Sequence, residues 1–267
     1  MYNKDMHKIL FPEAYNEFIQ MAVSRLRAKG ECDPVVELCD LPKACKMLAD
    51  NKVSAMVAGI DLSSRDVILA CRDNLGVAGP DLAPGEKRTF SSLFVVRFPD
   101  GRIIIVGDGA TFKNPNEMQL ADIVELIHDA SVHILDEEPR VAMLSFSTFG
   151  SGGSDESIDK IRDAIALVHN RRPDIEIDGE MQLDAAIDER IAHKKAPNSK
   201  IAGHANILIA PDINSGNILY KALEQFGNAH VAGPILLGFN KPVADLSRGS
   251  TVDDIVFTTE CLNRLII

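Results

Sequence analysis

The sequence predicts an α/β fold built on a largely parallel sheet. Short apolar runs that read as strands alternate along the chain with longer amphipathic runs that read as helices. No internal repeat, low-complexity tract or Pro-, Gly- or Ser-rich linker interrupts that alternation. The chain has 267 residues, 46% hydrophobic and 25% charged, enough to bury a sizeable core as two modest domains or one large one. With 5% aromatics and no Trp, that core is mostly Leu, Ile, Val and Ala.

KILF (8–11) reads as a short strand. AYNEFIQMAVSRLRAKG (14–30) reads as a helix, with Phe18, Met21, Ala22 and Leu26 near one face and Gly30 as its stop. PKACKMLADN (42–51) reads as a helix, SAMVAGI (54–60) as a strand, and SSRDVILACRDNLGV (63–77) as a helix opened by a serine. Residues 76–88, GVAGPDLAPGEKR, read as an exposed loop. SSLFVVRF (91–98) and RIIIVGD (102–108), joined through Pro-Asp-Gly, form an expected antiparallel hairpin. A helix over 116–135, a strand over 141–148 and a helix over 154–170 follow, the last with Ser154 and Asp155 as candidate N-caps. ANILIAP (205–211) reads as a strand and SGNILYKALEQFG (215–227) as a helix. HVAGPILLGFN (230–240) then reads as a buried strand, and a helix starts at TVDDIV.

Charge and cysteine usage narrow the function classes. The net charge of −11 carries no broad basic face, which argues against a nucleic-acid partner but leaves room for a locally bound anion. No apolar run is long enough to span a membrane, and the N-terminus lacks a long apolar signal core, so a cytoplasmic location is expected. The five cysteines, Cys32, Cys39, Cys45, Cys71 and Cys261, fit no zinc spacing and read as reduced, mostly buried thiols. His128 and His133 are spaced five apart, off the face a helical metal pair uses.

Four strand-to-helix loops could carry chemistry. STFGSGGSDES (147–157), containing Thr148, suits backbone approach to a phosphate or serves as a flexible turn, and it is neither a Walker loop nor a Rossmann fingerprint. In PDINSGNILYK (211–221), Asn214 and Ser215 are candidate caps, while Asn217 and Lys221 share a face. In AGIDLSSRD (58–66), Ser63, Ser64 and Arg65 at a helix start suit an anion site or plain N-capping. In GFNKPVADLSRGSTVDDIV (238–256), Arg248 can grip a phosphate through two parallel bonds, beside Ser247 and Gly249. Asp254 reads equally as part of a capping box with Thr251.

Together these loops resemble the phosphate acetyltransferase and phosphate butyryltransferase family, whose C-terminal signature usually runs G-L-N-x-P-V-N-D-L-S-R-G. EPRVAMLSFSTFGSGGSDES, IDGEMQLDAAI, PDINSGNILYKAL and VGDGATFKNPN agree in order and spacing, and KILFPEAYNE resembles the family's opening strand and turn. The resemblance implies a two-domain, three-layer α/β/α enzyme with mostly parallel sheets, like isocitrate and isopropylmalate dehydrogenases, and an active site in the interdomain cleft. Residues 1–114 and 238–267 would form a shortened first domain and 115–237 an inserted second one. The implied reaction is reversible acetyl transfer between CoA and phosphate, with CoA as substrate, no metal, no other cofactor, and a homodimer as the assembly.

Carried over by position, Ser247, Arg248 and Asp254 match the family's catalytic serine, arginine and aspartate and would be catalytic here. The expected substrate-binding set is Ser63, Ser64, Arg65, Thr148, Asn214, Ser215, Asn217, Lys221 and Asn240. Two departures stand out. KILFPEAYNE is followed too soon by ADNKVSAMVAGIDLSSRD, as though a block of the first domain were absent. The position of an expected arginine holds Leu69, with Arg65 and Arg72 the nearest substitutes. These departures motivate a catalytically weak homologue that binds CoA or an acyl phosphate. A phosphate butyryltransferase is a separate alternative, and another enzyme on a related fold, such as a decarboxylating dehydrogenase, fits less well because no set of metal-binding aspartates is evident.

Overall fold

The computed structural model describes residues 6–78 and 89–266, so most of the expected 76–88 loop lies outside the described residues. The chain forms two compact units, Met1–Phe90 with His230–Ile267, and Ser91–Ala229. The sequence had set these divisions at 114/115 and 237/238.

In the first unit, β1 (Lys8–Phe11), β2 (Asp33–Val36), β3 (Ala55–Ala58), β9 (His230–Leu237) and β10 (Val243–Asp245) lie in the order β2-β1-β3-β10-β9. The first four in that order are parallel, and β9 runs antiparallel to β10. β3 is buried at every residue, as a central parallel strand must be. The chain moves outward from β1 to β2 through α1 (Glu17–Lys29), then back to β3 through α2 (Leu41–Ala49). Right-handed crossovers therefore set those helices on opposite faces. α1 packs with α9 (Val252–Arg264), and α2 packs with α3 (Ser64–Asn74), completing three layers.

Two expectations change here. The buried face of α1 is Ile19, Ala22, Val23 and Leu26, while Phe18 and Met21 are about half exposed, so the apolar stripe is rotated from the predicted one. β2 and β10 escaped the sequence reading because they are four and three residues long, one carrying Pro34 and the other ending in a buried Asp245. Pro34 is tolerated because β2 is an edge strand with no partner on its far side. Gly30 does cap α1 in the left-handed conformation, at φ 70.

The second unit holds β4 (Ser91–Arg97), β5 (Ile103–Gly107), β6 (Val141–Leu144), β7 (Ile177–Met181) and β8 (Ile207–Ile209), in the order β4-β5-β8-β6-β7. Only the β4–β5 hairpin is antiparallel. Because β5 pairs with β8, the hairpin belongs with this unit rather than with the first. α4 (Glu117–Ile134), opened by a capping box at Asn116 and Gln119, packs against α5 (Glu156–Arg171), which Asp155 caps. α6 (Leu183–Ile187), α7 (Glu189–Lys195) and α8 (Ile213–Gly227) complete the unit.

All five cysteines are free thiols, and only Cys39 is not fully buried. Among the described residues no group of three or more His, Cys, Asp or Glu could hold a metal ion, and no helix is long and apolar enough to cross a membrane.

Candidate active site

The four parallel strands of the first unit bring their carboxyl ends to one edge of the sheet, where open α/β sheets bind ligands. Two loops leave adjacent strands there. Residues 59–63 join β3 to α3, and 246–251 join β10 to α9. Antiparallel β9 contributes its first residue, His230, to the same edge.

Ser63 caps α3: its hydroxyl accepts the Asp66 N–H at 3.2 Å and donates to Asp66 Oδ2 at 2.7 Å. Ser64 and Arg65 stand exposed in the first turn. On the neighbouring loop, Ser247 and Arg248 are exposed, and among the described residues nothing pairs with the Arg248 guanidinium. The Ser247 hydroxyl accepts the Gly249 N–H at 3.3 Å. Asp254 Oδ2 accepts the Thr251 N–H at 2.8 Å and its hydroxyl at 2.7 Å, the capping box the sequence suggested. Its other oxygen faces His230 Nδ1 at 3.9 Å.

Beneath these loops lie two buried carboxyls. Glu13, just after β1, accepts the backbone N–H groups of Gly59 at 2.7 Å, Ile60 at 3.2 Å and Asp61 at 2.7 Å. Burial pushes its carboxyl up, against the pull of those three bonds. Asp245 ends β10 with its side chain fully buried and neither oxygen hydrogen-bonded. Burial pushes Asp245 up to about 7; the Ser64 hydroxyl opposes the rise and the Glu13 charge adds to it. Gly59 covers Asp245 at φ +108, and a Cβ there would fall 2.2 Å from Asp245 Oδ1. Only glycine lets the loop lie this close.

Residues 36–261 match the family model described as Phosphate acetyl/butaryl transferase. The chain belongs to that family. It is 42% identical over 218 residues to the phosphate acetyltransferase of Clostridium acetobutylicum, covering 80% of this chain and 63% of that protein. It is 43% identical over 220 residues to the phosphate acetyltransferase of Treponema pallidum, covering 80% and 64%. The chain thus spans less than two thirds of the length of these relatives. The crystal structure of a phosphotransacetylase from Streptococcus pyogenes superposes with a TM-score of 0.85 at 28% identity, covering 99% of this chain and 95% of that one.

The family-like segments of the second unit are tightly self-bonded. Fully buried Glu180 accepts the Ser147 hydroxyl at 2.7 Å, the Gly150 N–H at 2.7 Å and Arg162 Nε at 2.8 Å. Burial alone would push Glu180 up, yet the Gly150 N–H, Arg162 and Ser147 hold it below the usual carboxylate range. Thr148 is buried, and its hydroxyl accepts the Gln182 N–H at 3.0 Å. Asp108, in the family's VGDGATFKNPN segment, accepts the N–H groups of Ala110, Thr111 and Phe112 and the hydroxyls of Ser92 and Thr111. At α8, Asp212 is the cap, accepting the Ser215 N–H at 3.0 Å, so Asn214 and Ser215 sit within the first turn. Asn217 donates to Gly109 O at 3.1 Å, and Gly216 lies so close to β5's end that a Cβ would fall 2.2 Å from Asp108 O. Exposed Lys221 lies 4.9 Å from the Tyr220 ring.

Of the residues singled out from the sequence, Ser63, Ser64, Arg65, Ser247, Arg248 and Asp254 share one edge of the first unit. Asn240 does not. It lies beyond the carboxyl end of β9, at the opposite edge, and its amide donates to Leu75 O at 2.8 Å. The 246–251 loop follows the three-residue β10, not the longer strand the sequence had placed before it. Arg65 sits in the first turn of α3, whereas Arg72 sits in the last and binds Asp73, so Arg65 alone reaches this edge. Half-buried Leu69 lies between them. Glu13, His230 and Asp245 went unread. Glu13 had one signal, its place directly after a strand at Pro12.

Proposed function

We propose that the chain catalyses reversible acyl transfer between CoA and inorganic phosphate, with acetyl as the acyl group. One observation carries this reading. Adjacent parallel strands β3 and β10 end side by side and lead into α3 and α9 on opposite faces of the sheet, with exposed Ser64 and Arg65 in the first turn of α3 and exposed Ser247 and Arg248 in the loop before α9. Helix N-termini and a free guanidinium are what a phosphate needs.

In the direction that makes acetyl-CoA, the thiol of CoA gives its proton to Asp254 Oδ1, the oxygen left free by the capping box. The thiolate sulfur attacks the acetyl carbonyl carbon, and the C–O bond to phosphate breaks. Ser247 hydrogen-bonds the oxyanion as it develops, and Arg248 holds the departing phosphate. Gly249 supports this reading. Its φ needs no glycine, and a Cβ would meet only Ser247 Oγ, at 3.9 Å, so the open face suits the close approach of a ligand. No metal or prosthetic group enters this scheme, and the substrates themselves are the only small-molecule partners. The reading includes a cytoplasmic homodimer, which light scattering on the purified chain tests.

The deciding assay follows CoA release from acetyl-CoA as phosphate is titrated, with propionyl-CoA and butyryl-CoA in parallel. Saturable, phosphate-dependent release with acetyl-CoA best supports the reading. Faster turnover of butyryl-CoA reassigns the acyl group. No release above background from folded protein overturns the reading.

A further inference from the structure

Asp245 is used by nothing in the scheme above. It lies two residues before Ser247, fully buried, with neither oxygen hydrogen-bonded and Gly59 pressed against it. A carboxylate in that setting loses its hydration and has only the Ser64 hydroxyl beside it, outside good hydrogen-bond geometry, so burial wins and the neutral acid is favoured. The backbone there is tight as well: Leu246 N–H donates to Ala58 O at 2.6 Å, so the two strand ends are joined directly above the carboxyl.

We propose that Asp245 is a positioning residue that works as the neutral acid, keeping the Gly59–Ser64 and Ser247–Arg248 loops together, and that its ionisation drives phosphate out of the site. This rests on the phosphate-binding reading above. A negative charge beneath both helix starts opposes the anion they are arranged to hold. The ionisable groups around it reinforce this. Glu13, from the end of β1, adds to the rise that burial causes. Cys71 of α3 is itself buried, its thiol paired with Cys45 of α2. In the first turn of α9, Asp253 pairs with Arg25 and Asp254 with Thr251, while His230 of β9 stands beside Asp254. β3 carries no ionisable side chain. Among the described residues no cation pairs with Asp245 to favour its charged form.

The test compares wild type with Asp245→Asn, a neutral side chain of the same shape. The pH dependence of phosphate and of the CoA thiol is common to both, so it cancels in their ratio. The wild-type KM for phosphate divided by that of the variant is expected to be about one at about pH 6 and to rise about tenfold or more by about pH 8.5, with kcat in constant ratio. A ratio that stays flat overturns the proposal. Two further measurements need no turnover, so they separate failure of this proposal from failure of the acyl-transfer reading. The rise in Tm produced by inorganic phosphate is expected to fade in wild type above about pH 7 and persist in the variant; identical behaviour overturns the proposal. If the variant does not fold, infrared spectra of wild type decide. A protonated-carboxyl band at about pH 6 that is lost by about pH 8.5, and survives in Glu13→Gln, is expected, and its absence overturns the proposal.

Discussion

The loops at 246–251 and 145–153 both leave strand ends and both carry serines and glycines, yet they use them in opposite ways. In the second, Ser147, Thr148, Gly150 and Ser151 are bonded within the loop or to Glu180 and Gln182, so the polar groups hold the backbone in place. In the first, Ser247 and Arg248 stay exposed; the Ser247 hydroxyl has only a long 3.3 Å bond from the Gly249 N–H, and among the described residues nothing pairs with the Arg248 guanidinium. A loop rich in serine and glycine is thus a poor guide to a site. What marks a site is the polar group its own chain leaves uncommitted.

The largest effect that tests this contrast is Arg248→Ala. Turnover should fall about 100- to 1,000-fold, the usual cost of removing a group that stabilises the transition state, with Tm unchanged because the guanidinium is exposed. Unchanged turnover would remove the distinction. Glu180→Ala should behave the other way round, losing about 2–3 kcal/mol of stability for its buried, charge-assisted bonds while each folded molecule keeps its turnover. Urea unfolding alongside the CoA-release assay reads both quantities.

The same residue gives a pH signature. Glu180 is held below its unfolded value, so its stabilisation is full above the ordinary glutamate range and is lost as pH falls through the lowered value. Tm should therefore drop more steeply on acidification in wild type than in Glu180→Ala, and parallel acid limbs would count against it.

Gly249→Ala should leave stability within about 0.5 kcal/mol, since a Cβ meets nothing closer than 3.9 Å, while the KM for a substrate rises several-fold. A stability loss with unchanged KM would show that the glycine serves the fold. The smallest effect is expected from Thr251→Ala, about 1 kcal/mol from the lost cap of α9. It sharpens the double reading of Asp254: a fall in kcat beyond that stability cost means the cap also orients the base.

Sequence patterns conveyed the longer helices well but not the short α6 and α7, because the caps of the longer ones are local chemistry: Asn16, Ser63, Asn116, Asp155 and Thr251 each receive a backbone N–H near their own position in the chain. They conveyed β2 and β10 poorly. Three or four residues show no period, and a fully buried Asp245 contradicts the apolar pattern that marks strands. The site was half legible. Ser247 and Arg248 stand in a long, distinctive motif, whereas Glu13 reaches its role by bonding Gly59, Ile60 and Asp61 across a span no periodicity records. Asn240 was misplaced for a related reason. It belongs to the same motif as Ser247, but β10 carries the chain across the whole sheet between them.

That short strand also sets an order of assembly. The second unit is contiguous and leaves the ribosome whole, while the first is stitched from both ends of the chain. Until residues 243–245 emerge, β3 has an unpaired edge on the side that β10 will fill. Such an edge is sticky and is what a holding chaperone would shield. Closure of the sheet and appearance of the Ser247–Arg248 pair are then one event, so a nascent chain stalled before β10 is both exposed and inert.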